Sequence, residues 1–138
     1  MKGFRVWSNY WKKYATEAEL YMDGSVDAVF EDDGGVPHHE NTDIVVEFKT
    51  GLKDKNGKEI YEGDVVKYTY RKDYIGQVAF GFVNDSEGYY IEKHYGWGIY
   101  SDGSGFSLGD YADDDMRCKL VEIIGNIHEN PELLEEEG

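Results

Sequence analysis

Cysteine is nearly absent from this 138-residue chain: Cys118 stands alone, so no intramolecular disulfide can form and the core must hold the fold by itself. Proline is scarce too, two residues against 17 glycines, which leaves the tight connections to glycine. No apolar run approaches the roughly 18 residues that a membrane-spanning helix needs. No charged-plus-apolar leader follows Met1, and a cytoplasmic protein is expected. Cations are the third shortage. Fourteen basic residues face 29 acidic ones, a formal net charge of −15, and such a body repels phosphate backbones at long range. Broad electrostatic binding of nucleic acid is therefore disfavoured.

What is abundant is strand chemistry. Eleven Val and 8 Ile outnumber 6 Leu and 5 Ala, and 12 Tyr join 6 Phe. Branching at Cβ restricts χ1 in a helix but packs well on a pleated sheet, as aromatic rings do. The expected fold is mainly β, all-β or α+β with a minor helix.

The order of segments supports this. Phe4 to Trp7 reads as a short strand. Residues 11–22 carry both helical spacing (Trp11, Tyr14, Ala15, Ala18, Tyr21, Met22) and the Asp23-Gly24 turn of a strand pair, and the strand pattern is preferred. Residues 31–43 read as a polar loop with Pro37 and the His38-His39 pair, and Ile44 to Phe48 as a strand. Asn56-Gly57 suggests a two-residue hairpin of type I′, with positive φ at both positions. Glu62-Gly63-Asp64 is a second turn, before the alternating strand Val65 to Tyr70. Gly76 and Gly81 suggest bulges or bends in the strand Ile75 to Val83. Tyr89 to Tyr100 reads as an aromatic hairpin, and Lys119 to Ile127 as the last strand. Asn130-Pro131-Glu132 has the makings of a helix start, with an Asn cap and proline at the first helical position. Two regions are expected: residues 1–48, an N-terminal β-region, and residues 49–138, a barrel-like β-domain ending in a short helix.

Two blocks, TGLKDKNGKEIYEGDVV at residues 50–66 and VEIIGNIHENPELL at residues 121–134, together with the opening FRVW, resemble the YopX family of phage and prophage proteins. The resemblance implies a mainly-β fold and a phage or prophage origin, and no activity. Physically, the glycine-assisted turns at Asn56, Gly57, Gly63 and Asp64 and the return through Gly76 suit the corners of a small SH3-like barrel.

Candidate chemistry is thin. His38 and His39 are adjacent and point oppositely in an extended chain, so they are poorly placed to grip one metal. Cys118 lies between Arg117 and Lys119, whose charges would lower its pKa, but no base accompanies it. The acidic run Asp110 to Asp115 lacks the spacing and glycine of a calcium loop. No phosphate loop, dinucleotide fingerprint or nucleophile elbow is present, and no catalytic residue, cofactor, metal or small-molecule ligand is assigned. The aromatic hairpin is the exception. Tyr89, Tyr90, Tyr95, Trp97 and Tyr100 combine large apolar area with polar handles, which suits either cross-strand pairing or a protein interface.

Charge is spread unevenly. Residues 49–82 carry seven basic and five acidic groups, net +2; residues 83–138 carry three and fourteen, net −11; residues 1–48 carry four and ten, net −6. The expected function is a non-enzymatic accessory protein that binds another protein or a second copy of itself. An acidic nucleic-acid mimic that occupies a host DNA-binding protein is the alternative. Direct nucleic-acid contact through Lys53, Lys55, Lys58, Lys67, Arg71 and Lys72 is the weaker third.

Overall fold

The computed structural model describes residues 3–86, 91–101, 104–108 and 112–135, and within them all side chains except those of 70, 81–86, 91–96, 101 and 104–107. Twelve strands and one short helix follow in order: β1 (Phe4–Ser8), β2 (Lys13–Tyr14), β3 (Glu17–Leu20), β4 (Val26–Glu31), β5 (Pro37–Glu40), β6 (Ile44–Lys53), β7 (Glu59–Tyr61), β8 (Asp64–Tyr70), β9 (Lys72–Ser86), β10 (Ile91–Ser101), β11 (Ser104–Ser107), β12 (Val121–Asn126) and α1 (Glu132–Glu135). The fold is mainly β, as the Val, Ile and Tyr content requires. The chain divides into two compact units, Met1–Lys49 and Thr50–Gly138.

In the first unit β1 pairs antiparallel with β2 and with the first half of β6, while β3, β4 and β5 form a second small sheet. Residues 11–22 contain the strands β2 and β3. Tertiary pairing decides there: Glu17 to Leu20 run antiparallel to Val29 to Val26, and Ala28 and Phe30 of β4 are fully buried beside Val6 and Ala15. Part of the expected loop 31–43 is also strand. β5 pairs Pro37 to Glu40 with Glu31 to Ala28, and proline is tolerated because it stands first in an edge strand.

The second unit is a curled five-stranded sheet in the order β11-β10-β9-β8-β12. Its core is Leu52, Ile60, Val66, Val78, Ile99, Cys118 and Val121, with Tyr68 and Leu108. Alternation along β8 sends Val66 and Tyr68 inward, as a half-buried strand should. Gly76 sits in an uninterrupted β8–β9 ladder, opposite Val66, and is not a bulge. The bulge lies in β12, between Ile123 and Gly125.

One turn recurs three times. Asp32, Asp54 and Asp113 each accept, through Oδ1, the N–H groups of the residues two and four further on, at 2.9–3.0 Å. In each the backbone N–H three residues on returns to the aspartate carbonyl, and that residue has positive φ: Gly35, Gly57 and Met116. The Asn56-Gly57 turn is thus a three-residue loop with a glycine bulge, and positive φ falls on Gly57, not on Asn56. The side-chain carboxylate closes the loop from inside, which a two-residue hairpin would not allow. Met116 holds the position at which the other two copies have glycine, a conformation that crowds a Cβ.

The signature at the C-terminal end closes in the same way. Asn126 Oδ1 accepts the N–H groups of His128 and Glu129, and Asn130 Oδ1 accepts the N–H of Asn126. The Asn130 side chain therefore completes the turn before α1; it is the Asn130 carbonyl that takes the Leu133 N–H.

Candidate functional site

Buried carboxylates are the first place to look for chemistry, and here each has partners within the protein; among the described residues the buried side-chain polar atom without one is Trp11 Nε1. Glu47, 2% exposed, accepts Arg5 Nε and Tyr14 Oη, each at 2.9 Å, and Arg5 lies 4.5 Å from the centre of the Tyr14 ring. Asp64 Oδ2 accepts the Tyr61 N–H at 2.8 Å, while the neighbouring Gly63 donates to Val78 O and accepts from the Ile127 N–H. Asp54 binds the amides of Asn56, Lys58 and Ile123. Asp54 is engaged by three backbone amides, Asp64 by one and Glu47 by the Arg5 and Tyr14 side chains, so these carboxylates tie separate segments together.

The histidines stand on β5, not in a loop. Alternation turns His38 towards Trp11, with ring centroids 4.8 Å apart, and its Nε2 lies 3.0 Å from Asp32 Oδ2. That hydrogen bond, with the amides of Val36 and Gly34, holds the Asp32 carboxyl below the ordinary aspartate range. His39 faces the other way and pairs with Asp27 at 3.3 Å, beside an open groove of about 460 Å³ bordered by Glu17 and Glu19. Among the described residues no group of three or more His, Cys, Asp or Glu is arranged to hold a metal. No helix of these residues is long and apolar enough to cross a membrane.

Cys118 points into the core, 2% exposed, with its Sγ donating to Leu108 O at 3.3 Å. Burial pushes the thiol up to about 11, and the carboxylates of Asp113 and Asp54 push the same way. The flanking cations do not offset this. At pH 8 only about one thiol in a thousand would be ionised, so native protein should resist iodoacetamide, with labelling appearing only as denaturant unfolds the second unit. Rapid labelling of the folded chain would show that the thiol is not buried.

Asp113, from the acidic run, is the anchor of a turn; the Arg117 amide, then the Asp115 amide and the nearby Lys119 and Arg117 charges hold its carboxyl below the ordinary range. Asp110 lies outside the described residues.

The aromatic segment is one strand and not a hairpin of its own: β10 runs unbroken through Gly96 because each of its residues from Ile91 to Tyr100 pairs with β9, and it is partly described. Tyr89 and Tyr90 lie outside the described residues, and Tyr95 is placed only as backbone, opposite Phe82. Trp97 is half-buried against the second core and meets Phe80, its direct cross-strand partner, edge to face at 5.2 Å. Tyr100 packs its ring over Gly98, 3.0 Å from where a Cβ would stand, and burial raises its phenol above the ordinary value. Phe80 was not singled out from the sequence, although it shares a face with Val78. Val78 is 1% exposed and Phe80 58%, so the apolar face of the hairpin continues past the edge of the core. The next rung pairs Gly81 with Gly96, which carry no side chains to cover the neighbouring backbone.

The chain is similar to protein EF1440 from Enterococcus faecalis, at 26% identity over 96% of both chains with a TM-score of 0.48. It is also similar to protein yopX from Bacillus subtilis, at 18% identity over 96% of this chain and 98% of that one, with a TM-score of 0.46. No curated protein matches it. The family model described as YopX protein matches residues 3–135, almost the whole length, and the chain belongs to the YopX family.

Proposed function

We propose that the chain is a non-enzymatic phage or prophage accessory protein that works by protein contact, with the β9–β10 hairpin as the contact surface and a second copy of the chain as its occupant. The exposed Phe80 ring beside Trp97 carries this reading. An aromatic pair at the edge of a core offers apolar area with little side-chain entropy to lose, the composition of an interface centre. Charge opposes self-association least at this place. Two bodies of −15 repel, but Phe80 lies in the 49–82 stretch of net +2, where two copies can approach with the least acidic opposition.

Light scattering after size exclusion tests this directly. The wild-type chain should be dimeric at high concentration and more so as salt rises, because salt screens the repulsion between the acidic bodies. Phe80→Lys should be monomeric with an unchanged melting temperature, since exposed substitutions alter stability little. A wild-type chain that stays monomeric at every concentration and salt would sink the proposal, as would a Phe80→Lys variant that still dimerises.

A further inference from the structure

Arg117 and Lys119 belong by sequence to the acidic stretch 83–138, yet the fold carries them to the least acidic part of the chain. The Lys53 N–H donates to Met116 O at 2.9 Å, the Cys118 N–H to Lys53 O at 2.7 Å and the Lys55 N–H to Val121 O at 2.8 Å. The segment before β12 is thereby laid along the β6–β7 loop. Arg117 extends over the turn, its guanidinium 3.4 Å from the place a Cβ on Gly57 would occupy. Glu122 stands between Lys55 and Lys67, 3.7 and 4.0 Å from their Nζ atoms, and gathers both onto the same surface.

We propose that this strip, Lys53, Lys55, Lys58, Lys67, Arg117 and Lys119, docks the sugar-phosphate backbone of a nucleic acid without reading its bases. The six cations come from three separate stretches of chain and are held together by backbone hydrogen bonds, so the strip is built before any ligand arrives. Its composition separates it from a protein interface. None of the six is aromatic, and Met116 is the exposed large apolar residue beside them. A protein partner needs an apolar centre, whereas phosphate contact needs cations and amides.

Net charge sets the strength of this contact and not its existence. The screening length is about 8 Å at physiological salt, so a docked phosphate responds mainly to the groups around it. Among those, Asp54 is buried and bound to three amides, Asp113 is bound to two, and Glu122 is half-buried between Lys55 and Lys67, so a phosphate must compete with it for those two cations. Asp114 and Asp115 are exposed at one end and limit how far the strip extends.

Fluorescence anisotropy with short labelled oligonucleotides of two unrelated sequences tests the assignment on the full chain. The wild type should bind both alike, with log affinity falling linearly in log salt. The triple variant Lys55→Ala, Lys58→Ala, Arg117→Ala should bind about a thousandfold more weakly at about 50 mM salt, and its salt slope should shrink by about 3, one for each phosphate that no longer meets a cation. Its melting temperature should stay near that of the wild type, because exposed ion pairs contribute little. No anisotropy change for the wild type at about 50 mM salt would overturn the proposal. So would equal binding and slope in the triple variant, or competition by poly-glutamate as effective as by unlabelled oligonucleotide. Salt strengthens the self-association proposed above and weakens this contact, so the failure of one is distinguishable from the failure of the other.

Discussion

Asp54→Ala should lower the stability of the second unit by about 3 kcal/mol and its melting temperature by roughly 12–24 °C. Asp54 is 1% exposed, and its two oxygens serve two structures at once. Oδ1 accepts the amides of Asn56 and Lys58 and shapes the local turn, while Oδ2 accepts the Ile123 amide at 3.1 Å, 69 residues along the chain. Alanine leaves all three donors without this partner. Those of Asn56 and Lys58 can turn to water, since both residues are exposed, but that of Ile123 lies at the β12 bulge beside the core and cannot do so easily. Leaving a buried donor unmet costs about 1–3 kcal/mol, more than an ordinary hydrogen bond contributes.

Asp54→Asn separates the two duties. Its amide oxygen can still serve the turn, but its NH2 then faces the Ile123 N–H, donor against donor, and most of the loss should remain. Asp113→Ala provides the contrast, because it removes the same turn geometry with no distant amide attached. Its melting shift should be much smaller. Urea denaturation of the three variants decides the matter: equal losses for Asp54→Ala and Asp113→Ala would mean that the long-range bond contributes nothing.

Acid should act on the two copies of this turn whose aspartates are only half-buried. The carboxyls of Asp32 and Asp113 both titrate below the ordinary aspartate value. A depressed folded-state pKa means that the stabilisation is in place above the unfolded value, near pH 4, and is lost as pH falls through the folded one.

The comparison of these turns shows where sequence reasoning stops. That 11 Val, 8 Ile and 12 Tyr with 17 Gly make sheets was legible, because β-branched and aromatic side chains favour a pleated surface wherever they lie. The strand β8 was legible from local alternation, the first half of β6 and the strand β12 from their apolar runs, and the short helix after Asn130 from its proline. The Asp-x-x-Gly pattern at 32–35 and 54–57 was available as a signal for the loops. Its third copy, ending in Met116, was hidden because Met seldom adopts positive φ.

Contacts between distant segments were not legible. Asp54 finds Ile123, and Arg117 finds Gly57, only after β12 has paired with β8. β5 was missed because its sequence, Pro-His-His-Glu, has no strand propensity of its own; it is a strand because β4 offers it an edge. The burial of Glu47, Asp54 and Asp64 was not legible either, because it too depends on which segments the fold packs around them.

Gly76→Ala should be comparably damaging, at about 3 kcal/mol, for a reason that has nothing to do with turns. Gly76 lies in β9, between Val66 of β8 on one side and the passing backbone of β10 on the other. A Cβ built there would stand 2.7 Å from Tyr100 O and 2.8 Å from Ile99 Cγ2, the second atom belonging to a residue 1% exposed in the core. Neither can yield cheaply. The carbonyl belongs to the strand backbone, and Ile99 is packed within the core on every side. One methyl must therefore separate β9 from β10 at the Gln77–Tyr100 rung, and overpacking of this kind costs typically about 1–3 kcal/mol where only side chains have to move.

Gly125→Ala calibrates the effect. Its Cβ would meet Asn130 Oδ1 at 2.5 Å, but that is the end of a side chain, which can swing aside at the cost of its bond from the Asn126 amide. Gly125→Ala should lose about 1 kcal/mol, and Gly76→Ala clearly more. In Gly76→Ala the amide protons of Gln77 and Tyr100 should also exchange faster than in the wild type, as the rung between them opens. If Gly76→Ala melts with the wild type, the close approach of β10 is not a constraint on this sheet, and the glycine must be explained by something other than the space it leaves.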